Sequence, residues 1–261
     1  MKRLFITFLI IWIGCLEINA QISNLTAPKD ISGQTKARSH KTKVSSNVTF
    51  GANRQTGNTD KSGILTTALF TSIDSVKEIS VNLRYAFGSN NGDVNQREYL
   101  VGGQFDYRPL SHLSPFIRYE FYSNGFRKIA QRHSGLLGLK YRYFVYKNTS
   151  DFSISVALLA NIEQYPSDTD LSGTEKLRLS VRPRFKQTLL ENIHVVTEIY
   201  YKPNIADFGD YMIYANATFN FKVNRYVFLR ASYEHEYNSR PATAAVKKTD
   251  TLLMGSLGVE F

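Results

Sequence analysis

The chain is 261 residues long, carries a formal net charge of +10 at a mean hydropathy of −0.27, and contains one cysteine. A lone Cys15 excludes an internal disulfide and any site built from several thiolates. No stretch approaches the ~20 apolar residues that a membrane-spanning helix requires, so if this chain crosses a bilayer it must do so as a barrel.

Lys2 and Arg3 precede an apolar run from Leu4 to Ile13, and small residues follow at Ile18-Asn19-Ala20. Residues 1–20 therefore read as a cleaved secretory signal. A lipid anchor on Cys15 is the competing reading, but Trp12 and Ile13 are poor matches for the small residues expected before such a cysteine. Residues 21–43 are rich in Ser, Thr, Lys and Asn, with Pro28 and Gly33, and read as a flexible periplasmic tail. Export turns the basic balance toward lipid phosphates or anionic solutes rather than nucleic acid.

From Val44 the texture becomes alternating apolar and polar residues in segments closed by turn residues. Phe152, Ile154, Val156, Leu158, Ala160 and Ile162 alternate with Ser153, Ser155, Ala157, Leu159 and Asn161. Ile79, Val81, Leu83, Tyr85 and Phe87 alternate with Ser80, Asn82 and Arg84, and Tyr211 to Asn220 behaves alike. Helical spacing explains none of these runs. Twelve strands are expected, starting near Val44, Lys61, Val76, Gln96, Leu113, Arg132, Asp151, Glu175, Ile193, Asp210, Tyr226 and Thr249. Short connections (73–75, 109–112, 147–150, 189–192, 222–225) alternate with longer ones (55–60, 89–95, 125–131, 164–174, 203–209, 238–248). Periplasmic turns and outer loops produce this alternation, with both strand termini on the periplasmic side.

Aromatic residues fall near expected strand ends, among them Phe50, Phe70, Tyr99, Tyr107, Tyr143, Tyr201, Tyr211, Phe221, Tyr226 and Tyr237. Rings of this kind favour the membrane interface. The last strand closes on Phe261, with Val259 and Leu257 on the same face, which resembles the C-terminal signal that outer-membrane barrels present to their assembly machinery. The expected fold is all-β: a transmembrane antiparallel up-and-down barrel of about twelve strands over residues 44–261.

The first hairpin carries Gly57-Asn58-Thr59, flanked by Gln55, Thr56 and Asp60. This stretch resembles the family of salt-induced outer-membrane proteins, whose shared domain is catalogued as being of unknown function, and the similarity extends from about Val44 to Phe261. The resemblance implies a barrel in the outer membrane and no established activity. Gly-Asn is also an ordinary turn pair, because both residues tolerate positive φ.

A lipid hydrolase is the catalytic alternative. Outer-membrane phospholipases and lipid A deacylases place a His and a Ser two residues apart on one strand, where period two puts both on one face. Tyr122-Ser123-Asn124-Gly125 looks like part of that motif, but Phe121 stands where the base would be. His133 and Ser134 are adjacent and should face opposite ways, and His112-Leu113-Ser114 lies at an expected periplasmic turn. The five histidines (His40, His112, His133, His194 and His235) show no ligand spacing, and no cofactor fingerprint is present.

Sending the apolar set of each strand to lipid turns Lys176, Arg178, Arg182, Arg184 and Lys186 of the eighth strand into the lumen. Pro183, which cannot donate to a sheet, predicts a bulge or weak pairing in that strand. Arg84, Arg118, Lys140, Arg142, Lys202 and Arg230 also point inward. So do Glu78, Glu98, Asp106, Glu120, Glu163, Glu198, Glu234 and Glu236. Two readings stay open: a narrow channel whose arginine row attracts anions, or a plug of salt bridges. Twelve strands sit between barrels filled by side chains and barrels that hold an open channel. Basic loop residues Arg127, Lys128, Arg240, Lys247 and Lys248 could meet lipopolysaccharide phosphates. The leading expectation is an outer-membrane barrel that passes or binds small polar solutes, anions among them, or supports the envelope. The alternatives are a lipid-modifying hydrolase and an interaction protein acting through its loops or tail.

Overall fold

The computed structural model describes residues 42–56, 61–90, 93–108, 112–125, 129–146, 149–167, 172–241 and 247–261. The expected signal, the tail up to residue 41, the Gly57-Asn58-Thr59 hairpin tip, Arg127 and Lys128 lie outside the described residues.

Twelve antiparallel strands close into one transmembrane barrel: β1 (Lys43–Thr56), β2 (Lys61–Ile73), β3 (Lys77–Asn90), β4 (Asp93–Tyr107), β5 (Leu113–Asn124), β6 (Ile129–Tyr146), β7 (Ser150–Gln164), β8 (Thr174–Leu190), β9 (Ile193–Pro203), β10 (Tyr211–Lys222), β11 (Val227–Asn238) and β12 (Thr249–Glu260). Each strand pairs with its sequence neighbours, and β1 pairs with β12 to close the ring. Phe261 extends that seam: its N–H donates to Ser46 O at 2.8 Å, and Ser46 N–H donates to Phe261 O at 3.0 Å. Closure leaves no unpaired edge, which the hydrocarbon core of a bilayer demands.

Parity of the side chains decides which face each residue takes. On β7, Ser153, Ser155, Ala157, Leu159 and Asn161 are buried inward, whereas Ile154, Val156, Leu158 and Ile162 are exposed on the outer wall. The same rule sends Ile79, Val81, Leu83 and Tyr85 outward and Ser80, Asn82 and Arg84 inward on β3. An apolar outer belt around a polar interior inverts the usual globular arrangement, as a lipid-facing barrel requires. Rings flank the belt: Tyr201, Tyr211 and Tyr237 stand side by side on β9, β10 and β11, with centroids 5.9 and 5.8 Å apart, and Tyr85 meets Tyr99 at 5.2 Å.

An even strand count puts the start of β1 and the end of β12 at one mouth, together with the connections 74–76, 108–112, 147–149, 191–192 and 223–226. This is the turn end; the opposite mouth is the loop end. The expected alternation of short and long connections holds only in part. At the loop end, 165–173, 204–210 and 239–248 are long, but 57–60, 91–92 and 125–128 are short. Strands β4 and β6 begin at Asp93 and Ile129 rather than near Gln96 and Arg132, because backbone pairing continues past the alternating run. Each extension carries an irregularity, at Gly88/Ser89 and at Tyr122/Asn124.

Pro183 produces the weak pairing expected of it. Between β8 and β9 the register runs through Val181↔Tyr201 and resumes at Arg184↔Glu198, with Arg182 and Pro183 unpaired on that side. Both residues keep their partners on β7, Ser155 and Ile154.

Candidate functional site in the lumen

The basic row of β8 faces the interior as parity requires, and acidic partners meet it. Arg178 Nη2 donates to Asp210 Oδ1 at 2.8 Å, and Lys176 Nζ reaches Asp210 Oδ2 at 2.9 Å. Arg182 donates to Tyr200 Oη at 2.8 Å and to Ser155 Oγ at 3.1 Å, with Glu198 at 3.8 Å. Glu198 also lies 3.9 Å from Arg184. Arg118 pairs with Glu120 at 2.5 Å, and Arg142 with Asp151 at 3.5 Å. The side chain of Lys186 is half-buried on the same face, closer to the turn end.

Arg84 makes a longer reach. From β3 its Nε lies 3.1 Å from Glu98 on the neighbouring β4, and its Nη1 lies 3.2 Å from Glu234 on β11. Strands β2, β1 and β12 separate β3 from β11 around the wall, so this guanidinium bridges the lumen along a chord. All three side chains are almost fully buried, at 2%, 2% and 0% exposure. Lys140 holds Asp106 at 2.7 Å, and Gln104 donates to the same carboxylate at 2.8 Å. Lys202 Nζ sits 4.8 Å from the centroid of the Tyr200 ring, in the field of Glu236 and Glu120.

At the loop end the connection 204–210 folds against β8. Ile205 N–H donates to Leu177 O, Asn204 N–H to Asp210 O, and Arg178 Nη1 donates to the carbonyls of Lys202 and Asp210. Burial raises the Asp210 carboxyl, but hydrogen bonds and charge from Lys176 and Arg178 outweigh it and hold the group below the usual carboxylate range. Arg240 ties the 239–248 connection to Asp207 at 2.6 Å. Tyr165 packs on Leu100, Tyr122 and Ile129, and burial followed by the charge of Glu163 raises its phenol.

The lumen is filled as well as paired. Tyr122, Tyr200, Tyr214 and Phe228 are inward and buried, and the sequence reading assigned none of them to the lumen. Parity could have found them: each stands two residues from an inward polar residue, namely Glu120, Glu198, Asn216 and Arg230. Arg132 and Asp210 were also missed as lumen charges; Arg132 pairs with Glu163 at 2.8 Å. Apolar clusters line the wall, with Leu65, Ala86, Leu252 and Met254 in one and Phe116, Leu136, Ala157 and Leu159 in another. Beside Arg118, Arg182, Tyr200 and Lys202 a cavity of about 10 Å³ remains, room for one water-sized particle. Around that cavity, anything larger than one water fits only where a side chain moves aside.

The residues weighed for hydrolysis sit apart. His133 faces outward, where Tyr119 Oη lies 2.7 Å from its Nδ1, while Ser134 is buried in the lumen. His112 Nδ1 lies 3.2 Å from Arg142 O at the turn end, and Ser114 is inward. Ser123 is half-buried on the outward face of β5, between the inward Tyr122 and Asn124. Among the described residues no three His, Cys, Asp or Glu side chains gather as a metal site.

The fold is similar to that of solved membrane barrels. The NanC porin aligns with a TM-score of 0.52 at 8% identity, covering 82% of this chain and 98% of that one. A bacterial polysaccharide outer membrane secretin aligns with a TM-score of 0.51 at 8% identity, covering 84% and 98%. At such identities the likeness concerns architecture alone. No curated protein sequence matches the chain. Residues 48–261 match the family described as "Protein of unknown function, DUF481", and the chain belongs to that family.

Proposed function

We propose that this protein is an outer-membrane barrel, exported by residues 1–20, that is closed at rest and passes small polar solutes, anions among them, when its lumen pairs separate. The observation that carries the reading is the Arg84 bridge to Glu98 and Glu234, which crosses a lumen packed by Tyr, Phe and paired charges. Fold likeness to a porin supports passage; the filled interior supports closure. The basic residues of β8, with Arg118 and Arg142, form the path that an entering anion meets, and Glu198 shares its charge between two of them. In this reading the turn end faces the periplasm with the 21–43 tail, and the loop end meets lipopolysaccharide through Arg240, Lys247 and Lys248. Leu257, Val259 and Phe261 address the assembly machinery.

Flux across vesicles tests the proposal. The refolded wild type should admit neither acetate nor a small cation at a rate above protein-free vesicles, and Glu98→Gln/Glu234→Gln, which frees Arg84, should admit acetate preferentially. A wild type as leaky as an open porin would refute closure, and a tight double variant with an intact barrel would refute passage.

A further inference from the structure

We infer that the lumen holds a binding site for one small monovalent anion, of halide size, at Arg230. The argument begins with charge. Arg84, Arg118, Arg132, Arg178, Arg182 and Arg184 each have a carboxylate within ion-pair distance. Arg230, 5% exposed on β11, has none among the described residues. Its Nε donates to Asn220 Oδ1 at 2.9 Å, and its guanidinium lies 5.1 Å from the centroid of the Phe228 ring. A guanidinium withdrawn from water needs a counter-charge.

The neighbouring groups ask for the same partner. Asn220 spends its oxygen on Arg230 and so presents its Nδ2 donors, which have no partner. The hydroxyls of Ser232 and Ser256 are buried and without partners as well. Asn220, Arg230 and Ser256 lie directly opposite one another across β10, β11 and β12, and Ser232 is the next inward residue on β11. Three strands thus bring guanidinium, amide and hydroxyl donors together, with Asn220 Oδ1 already engaged. An anion can accept from all of these donors at once, whereas a water would have to spend its own hydrogens on the Ser232 and Ser256 oxygens.

Size and valence follow from the surroundings. Toward the turn end the Phe228 ring occupies the space where a Cβ on Gly258 would stand, so the floor is closed. Toward the loop end comes Glu234, committed to Arg84, whose charge disfavours a polyvalent guest. Glu234 acts on Arg230 only through space, so a single small anion is the guest that the one buried guanidinium without a carboxylate at ion-pair distance among the described residues can hold. The site belongs to the closed barrel and does not depend on passage through it.

Bromide is the probe. Crystals of the refolded full chain soaked in sodium bromide, measured at the bromine absorption edge, should show an anomalous peak within hydrogen-bond reach of the Arg230 guanidinium and Asn220 Nδ2. In solution, replacing gluconate by bromide at constant ionic strength should raise the thermal midpoint of the wild type, and Arg230→Gln or Ser256→Ala should weaken that response about tenfold or more in bromide concentration. The wild-type diffraction result decides the matter even if a variant fails to fold. An empty position or an uncharged water there overturns the inference, as does a peak or a midpoint response that survives Arg230→Gln.

Discussion

Arg84 shows why residue-scale reasoning from parity reaches part of the way. Its inward direction was legible from Ser80, Asn82 and Arg84 alternating with Ile79, Val81 and Leu83, because period two admits no other arrangement. Its partner was not, because Glu234 lies 150 residues away and comes within reach only when the sheet has closed. Removing one member of such a buried cluster leaves the others uncompensated. Arg84→Met should therefore lower unfolding stability by about 3–5 kcal/mol, read from urea-dependent unfolding of the barrel in lipid vesicles. Asp210 supplies a residue-scale test with a defined sign. Its folded pKa lies below the unfolded value of about 3.9, so the clamp on residues 204–210 is fully present above that pH and weakens as pH falls through the depressed value. Amide exchange at Ile205 should quicken in that acidic window beyond the chemistry of free peptide, and Asp210→Asn should show the quick exchange at neutral pH too.

At the scale of the element, strand identity was legible wherever the apolar belt runs, and strand ends were not. β7 announced both faces over its whole length, and the structure keeps that assignment from Ser153 to Ile162. Leu158, exposed near the middle of the strand, should tolerate a charge badly: Leu158→Arg is expected to cost about 2–4 kcal/mol in a bilayer-folding titration if it sits at the midplane. The loop-end extensions of β4 (Asp93, Val94, Asn95) and β6 (Ile129, Ala130, Gln131) escaped because three residues are too few for alternation to carry a signal. Pro183 was legible for a chemical reason, its missing N–H, and the gap it leaves opposite β9 can be probed. Pro183→Val should extend the ladder and slow amide exchange at residues 199 and 200; unchanged protection would assign the gap to another cause.

For the whole molecule, the sequence made the barrel legible, its strand number and the mixed charge of its interior, because these depend on pattern alone. Whether the lumen is open could not be read from pattern. Twelve strands permit either state, and the answer rests on how far long side chains reach and on inward rings, Tyr122, Tyr200, Tyr214, Phe228 and Phe116 among them, that composition does not distinguish from outward ones. The closed, charge-bridged interior is the centre of this account. Single-channel recording of the refolded wild type in a planar bilayer tests it most directly: the account predicts a stably inserted barrel that is silent at low voltage, and steady large openings under the same conditions would contradict it.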